Sequence, residues 1–187
     1  MMKRFAYSRG GGICLLALGL MLAGCTGKPD GITPVSPFEV EKYTGTWYEI
    51  MRLDHSFERG LSNVTAVYSL NDKGGIDVLN RGYDTQACRW DEAYGKAEFQ
   101  GDPTTASLSV TFFWPFAGGY HVIALDDDYG WAMIAGPDTD FLWILAREPE
   151  LSPKIRDQLI EKAKRLGFPV GTLIMVNHDE TECLSSQ

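Results

Sequence analysis

Between residues 45 and 147, hydrophobic and polar positions alternate with period two in short runs rich in Val, Ile, Thr and aromatic residues. Turn-forming clusters interrupt the runs: Asn71-Asp72-Lys73-Gly74-Gly75, Gly101-Asp102-Pro103, Gly118-Gly119, Asp126-Asp127-Asp128 and Gly136-Pro137-Asp138. The pattern predicts strands near 45–54, 62–71, 75–83, 92–100, 106–113, 119–126, 130–136 and 140–147. Eight strands with hairpin-length links predict an all-β antiparallel up-and-down meander, and an eight-stranded barrel closes its own edges and can hold one small ligand. In the last strand Phe141, Trp143, Leu145 and Arg147 share one face, while Leu142, Ile144 and Ala146 share the other. Both faces are apolar, so one suits a lumen and the other a covering element. In the first strand Trp47, Glu49, Met51 and Leu53 share a face.

The period changes once. Ser152 is a good N-cap, Pro153 fits the first helical position, and Ile155, Leu159, Ile160, Ala163 and Leu166 form one apolar stripe at helical spacing. Gly167 supplies a C-terminal stop and Pro169 prevents continuation. This predicts a helix packed outside the barrel, followed by a short final strand over 172–176.

The N-terminus follows a different logic. Lys3, Arg4 and Arg9 precede an apolar run of ten residues, Ile13 to Leu22, which suits a signal segment and is too short to span a bilayer as a helix. Leu22-Ala23-Gly24-Cys25 then resembles a bacterial lipobox, in which the Cys25 sulfur is lipidated and the chain is cut before it. The expected organisation is a signal peptide over 1–24, a lipidated tether over 25–37 that is rich in Pro and Gly, and a folded domain over 38–187. Thr26 follows the cysteine where an aspartate would direct retention at the inner membrane, so the address read here is the outer membrane, facing the periplasm.

Removing the signal takes three bases and no acid, so the formal net charge moves from −8 to −11. That balance argues against nucleic acid as a partner and against attachment to anionic lipid by charge. Of four cysteines, Cys14 leaves with the signal and Cys25 takes lipid. An oxidising compartment then favours a Cys88–Cys183 disulfide.

Several motifs together resemble the lipocalins, in particular the bacterial outer-membrane lipoprotein lipocalins and, more distantly, the apolipoprotein-D-like branch. Gly45-Thr46-Trp47 resembles the Gly-x-Trp signature of the first strand. The stretch from Gly136-Pro137-Asp138 to Arg147 resembles the family's turn and last-strand arginine. Phe57-Glu58-Arg59-Gly60-Leu61, Val78-Leu79-Asn80-Arg81-Gly82-Tyr83 and Phe116-Ala117-Gly118-Gly119-Tyr120 extend the likeness from about Phe38 to Val176.

The resemblance implies a barrel closed at one end by Trp47, with Arg147 over its indole, and open at the other to a fatty acid or lysophospholipid. It implies Tyr68, Asn80, Phe112, Tyr120 and Trp143 as ligand-binding positions, and alternation adds Met51, Leu53, Ala66 and Val122 as wall. The loop Asp54–Gly60 belongs at the mouth, where His55, Phe57 and Arg59 are candidates to gate entry or meet a phosphate. The implied role is storage or transport of membrane lipid in envelope maintenance, with a homodimer as a further partner. Two features depart from the family pattern: the Cys88 and Cys183 pair, and Trp114, which stands where the family has a small residue and so alters a loop or dimer surface.

His55, His121 and His178 are far apart, and no zinc spacing, P-loop, dinucleotide fingerprint or Gly-x-Ser-x-Gly elbow occurs, so neither a metal nor a cofactor nor a catalytic residue is expected. Two rival readings remain. One is an enzyme on the same fold that uses Cys88 as nucleophile. The other is a scaffold whose barrel is filled by its own side chains.

Overall fold

A computed structural model describes residues 26–179, 181 and 183. The signal segment and Cys25 lie outside the described residues. A single helical turn, α1 (Val40–Tyr43), leads into β1 (Gly45–Arg52), β2 (Leu61–Leu70), β3 (Ile76–Asp84), β4 (Arg89–Phe99), β5 (Ser107–Phe113), β6 (Phe116–Leu125), β7 (Trp131–Ala135) and β8 (Leu142–Ala146). Helix α2 (Pro153–Arg165), a 3₁₀ turn (Val170–Thr172) and β9 (Ile174–Met175) follow.

Each strand from β1 to β8 pairs antiparallel with the next, and β1 pairs with both β2 and β8. The sheet therefore closes on itself as an eight-stranded antiparallel up-and-down barrel. β9 is added outside on β1, through Met51↔Met175 and Arg52↔Ile174. The architecture matches the one expected from alternation and turn spacing. The strand ends differ: β4 starts earlier than expected, at Arg89, β7 and β8 are only five residues each, and the final strand is two.

Period-two alternation builds two apolar layers. The inner one gathers Trp47, Ala66, Tyr68, Val78, Leu108, Val122, Ile134 and Leu145 inside the barrel. The outer one gathers Ile50, Met133, Leu142 and Ile144 beneath Leu159 and Ala163 of α2. The helix begins as its sequence dictates: Ser152 Oγ accepts from Ile155 N at 3.4 Å with Pro153 in the first turn. Gly167, at φ +89°, turns the chain out of the helix.

β1 breaks the alternation. Glu49 pairs with Leu145 and Met51 with Ile144, so two steps on β1 match one on β8, a β-bulge at Ile50. One extra residue moves every later side chain to the other face. Met51 and Leu53, expected on the lumen wall, therefore lie in the outer layer with Leu159 and Phe168. Arg52 turns inward in their place.

Residues 26–37, read as a tether, lie against the barrel wall. Val35 N donates to Val122 O at 2.8 Å, Ala106 N to Val35 O at 2.9 Å, and Ile32 is buried. Further up, His121 Nε2 donates to Gly27 O at 2.7 Å while Ser107 Oγ bonds its Nδ1, so His121 faces outward, as alternation expects, and pins the segment. A Cβ on Gly119 would stand 2.5 Å from Gly27 O, so only glycine lets the strap pass there. All elements, the strap and a Cys88–Cys183 disulfide lie within residues 26–183, and the fold closes within that span.

Candidate functional site

The closed end is built first. Trp47 is fully buried and its Nε1 donates to Tyr43 O at 2.8 Å. The Arg147 guanidinium lies 3.9 Å from the Trp47 ring centroid and donates to the carbonyls of Lys42, Thr44, Thr46 and Tyr129. A planar cation over an indole, with its N–H groups also satisfied, is worth about 0.5–2 kcal/mol beyond its hydrogen bonds. This end is a plug, with no reactive group in it.

The lumen lies above that plug. Tyr68, Asn80, Phe112, Tyr120 and Trp143 all sit on the inner face. Tyr68 belongs to the buried inner layer, and Phe112, Tyr120 and Trp143 pack against it half-buried. Asn80 pairs with Ala66 across β2 and β3 and shares its face. Tyr120 Oη is 2.7 Å from Tyr43 Oη and 3.1 Å from Tyr68 Oη, a chain of three phenols. Burial drives all three phenols above their ordinary range, so they stay neutral donors. Phe112 owes its place to Gly95: a Cβ there would meet the ring at 2.8 Å. Ala66 and Val122 also face inward.

A second polar group sits toward the open end and contains residues the sequence did not single out. Arg52 Nη1 is 2.7 Å from Glu49 Oε1, both side chains almost fully buried. Arg52 Nη2 donates to Glu58 O at 2.7 Å, and Trp143 Nε1 donates to Glu58 Oε2 at 3.0 Å. The loop between β1 and β2 is thus folded back onto the barrel mouth. Two carboxylates face one guanidinium. Burial, with the nearby Glu58 carboxylate second, pushes Glu49 up to about 8, and burial also raises Glu58. His55 is buried between the rings of Phe57 and Phe141, at 5.3 and 4.8 Å, and 4.7 Å from Trp143. Burial, then Arg52, holds it down to about 4, so it is neutral. Arg59 is exposed and paired with Asp54.

Sequence alternation hid Arg52, because without the bulge it faces out. Tyr43 lies in a four-residue helix with no periodic signal, and Glu58 sits in a loop.

Three buried polar atoms have no hydrogen-bond partner among the described residues: Arg52 Nε, His55 Nε2 and Asn80 Oδ1. Buried polar atoms are nearly always satisfied, so three on one wall and mouth mark a place suited to a polar guest. The inward side chains Asn80, Phe112, Tyr120 and Trp143 are only half-buried. A separate groove of about 740 Å³ lies outside, between α2 and β6–β7, and does not involve these residues. Among the described residues no group of three or more His, Cys, Asp or Glu gathers as a metal site. Cys88 is joined to Cys183, with Cα atoms 5.1 Å apart, so it has no free thiol. No helix among them is long and apolar enough to cross a membrane.

A plugged eight-stranded barrel with an inner wall of aromatic and neutral polar groups defines the class of small-ligand-binding calyx proteins. Residues 38–178 match the lipocalin-like domain model, and the chain belongs to the lipocalin family. It is 49% identical over 166 residues to the outer membrane lipoprotein Blc of Citrobacter freundii, covering 88% of this chain and 94% of that one. It is 34% identical over 153 residues to mouse apolipoprotein D, covering 78% and 79%. Among solved structures, insecticyanin from the tobacco hornworm superposes with a TM-score of 0.68 at 18% identity, over 84% of this chain and 90% of that one, a likeness of fold. The similarity to outer membrane lipoproteins at this level assigns the chain to the bacterial outer membrane.

Proposed function

We propose that this lipocalin is anchored by lipid on Cys25, faces the periplasm, and binds a single-chain acyl lipid, a fatty acid or lysophospholipid, in the barrel for storage or transport in envelope maintenance. The observation that carries the reading is the inner wall: Phe112, Tyr120 and Trp143 half-buried around a lumen, with the Asn80 carbonyl unpartnered. Burying hydrocarbon against such a wall contributes about 0.8 kcal/mol per methylene, less the cost of ordering the chain. No reaction is needed. The Cys88 nucleophile reading loses its support because that sulfur is in a disulfide, and the half-buried inner side chains weigh against a filled scaffold.

The mouth offers polar partners to a head group: the Arg52 guanidinium, and the Glu49 and Glu58 carboxyls, which burial holds toward the protonated form. Displacement of a fluorescent fatty acid from the chain beginning at Thr26 tests the reading. Saturable displacement by lysophospholipid or by fatty acid is expected. No saturable binding of either would remove the proposal.

A further inference from the structure

The β5–β6 hairpin ends in the most exposed aromatic group of the described chain. Phe113 is 77% exposed, Trp114 88% and Phe116 75%, with Pro115 between them. They stand at the open end: β5 runs away from the plug and β6 returns toward it, so this tip shares the rim with the loop at 53–60, the β3–β4 turn and the β7–β8 turn. From Pro103 to Leu125 the sequence contains no Asp, Glu, Lys or Arg. The tip therefore presents a large apolar surface, and no side-chain charge in the hairpin must be stripped of water to bury it. Three clustered aromatics of this exposure are more than the scattered surface residues that need no explanation.

The strap tells what covers it. Gln100 Nε2 donates to Thr26 O at 2.7 Å, and Thr26 O and Gly27 O lie over Gly119. Gly119 is three residues from Phe116 along β6, roughly 10 Å at strand rise. Covalent geometry keeps Cys25 within one peptide, about 3.8 Å, of Thr26. The described chain thus begins on the outer wall of the same hairpin.

We propose that the Phe113-Trp114-Pro115-Phe116 tip inserts into the surface of a zwitterionic phospholipid bilayer and seats the open end of the barrel against it. The tilt of the barrel rests on the anchoring at Cys25 proposed above; the docking does not. The other lips carry Asp84, Asp138 and Asp140, beside an Asp54 already paired with Arg59, and these set the partner: neutral lipid, entered by an apolar wedge, with Trp at the interface where its ring is amphipathic. A lipid leaving the leaflet it seats on would then reach the lumen without crossing water.

The test uses the chain from Thr26, free of any anchor, with phosphatidylcholine vesicles whose acyl chains carry bromine near the head group. Bromine quenches tryptophan on contact. Partition with quenched emission is expected, little changed by salt. Trp114→Ser with Phe116→Ser should lose the quenched component and weaken partition by on the order of a hundredfold, since each buried aromatic is worth about tenfold. Trp143→Ala should keep the quenching, which separates docking from occupancy of the lumen. Displacement of monomeric fatty acid by the tip variant, without vesicles, should equal wild type. Quenching unaffected by the tip substitutions, or no partition of the wild type, overturns the proposal. Concentration-dependent dimers abolished by the same substitutions, with no quenching, would assign the tip to contact between copies instead.

Discussion

Arg52 is a buried guanidinium made tolerable by Glu49 at 2.7 Å and the Glu58 carbonyl. The second carboxylate, Glu58, takes the Trp143 N–H. These groups give the barrel a pH signature. Glu49 holds its proton to about pH 8 when folded and to 4.5 in its ordinary state, so between those values the fold binds more protons than the unfolded chain and stability falls as pH rises. Glu58, raised by burial, acts with the same sign. His55, held at about 4 against 6.5, does the opposite: the fold binds fewer protons in that window and stability rises with pH. The effects oppose each other below 6.5, and the carboxylates act alone above it. Glu49→Gln should reduce the fall in Tm between pH 6.5 and 8; an unchanged Tm–pH curve would contradict the assignment. The two inward tryptophans should separate in the same way. Trp47→Ala removes the plug and should cost about 3–5 kcal/mol in denaturant unfolding. Trp143→Ala should weaken acyl-lipid binding roughly tenfold with a smaller stability loss. The reverse order would overturn the division between plug and pocket.

At the scale of elements, period-two alternation and turn clusters were enough to read eight strands and their closure, because each strand has one face in the lumen and one outside. α2 was equally legible, since its cap, stripe and stop all agree. What alternation misses is local: of several register shifts in the barrel, the one at Ile50 sends Met51 and Leu53 under the helix and brings Arg52 inside. No residue type in Glu49-Ile50-Met51 announces it. Asn80 and Trp143 were readable because β3 pairs with β4, and β8 with β7, without a register shift. α2 lies outside the lumen, so its stability and ligand binding should be separable. Ser152→Ala should cost about 1 kcal/mol by loss of the cap while leaving acyl-lipid affinity unchanged; a matching loss of affinity in the displacement assay would mean that the helix and the calyx are coupled.

At the scale of the whole molecule, three closures hold the lumen: the strand ring, the Trp47–Arg147 plug, and the disulfide that ties the tail to the turn after β3. The cysteines are 95 residues apart, so chain entropy alone assigns their link about 4–5 kcal/mol. Cys88→Ser with Cys183→Ser should lower the denaturation midpoint by a corresponding amount with little loss of ligand binding; a midpoint insensitive to the substitutions would mean that the tail is dispensable. The sequence composition pointed to the compartment and to the pairing of these cysteines. It was silent on whether the barrel is hollow, because aromatics on inner faces fill a core as readily as they line a pocket. The most direct test of the hollow is native mass spectrometry of the chain from Thr26 with lysophospholipid, beside an Ala66→Trp variant that places an indole in the lumen. The account predicts one bound lipid per barrel for the wild type and none for the variant. No adduct on the wild type, or equal adducts on both, would contradict it.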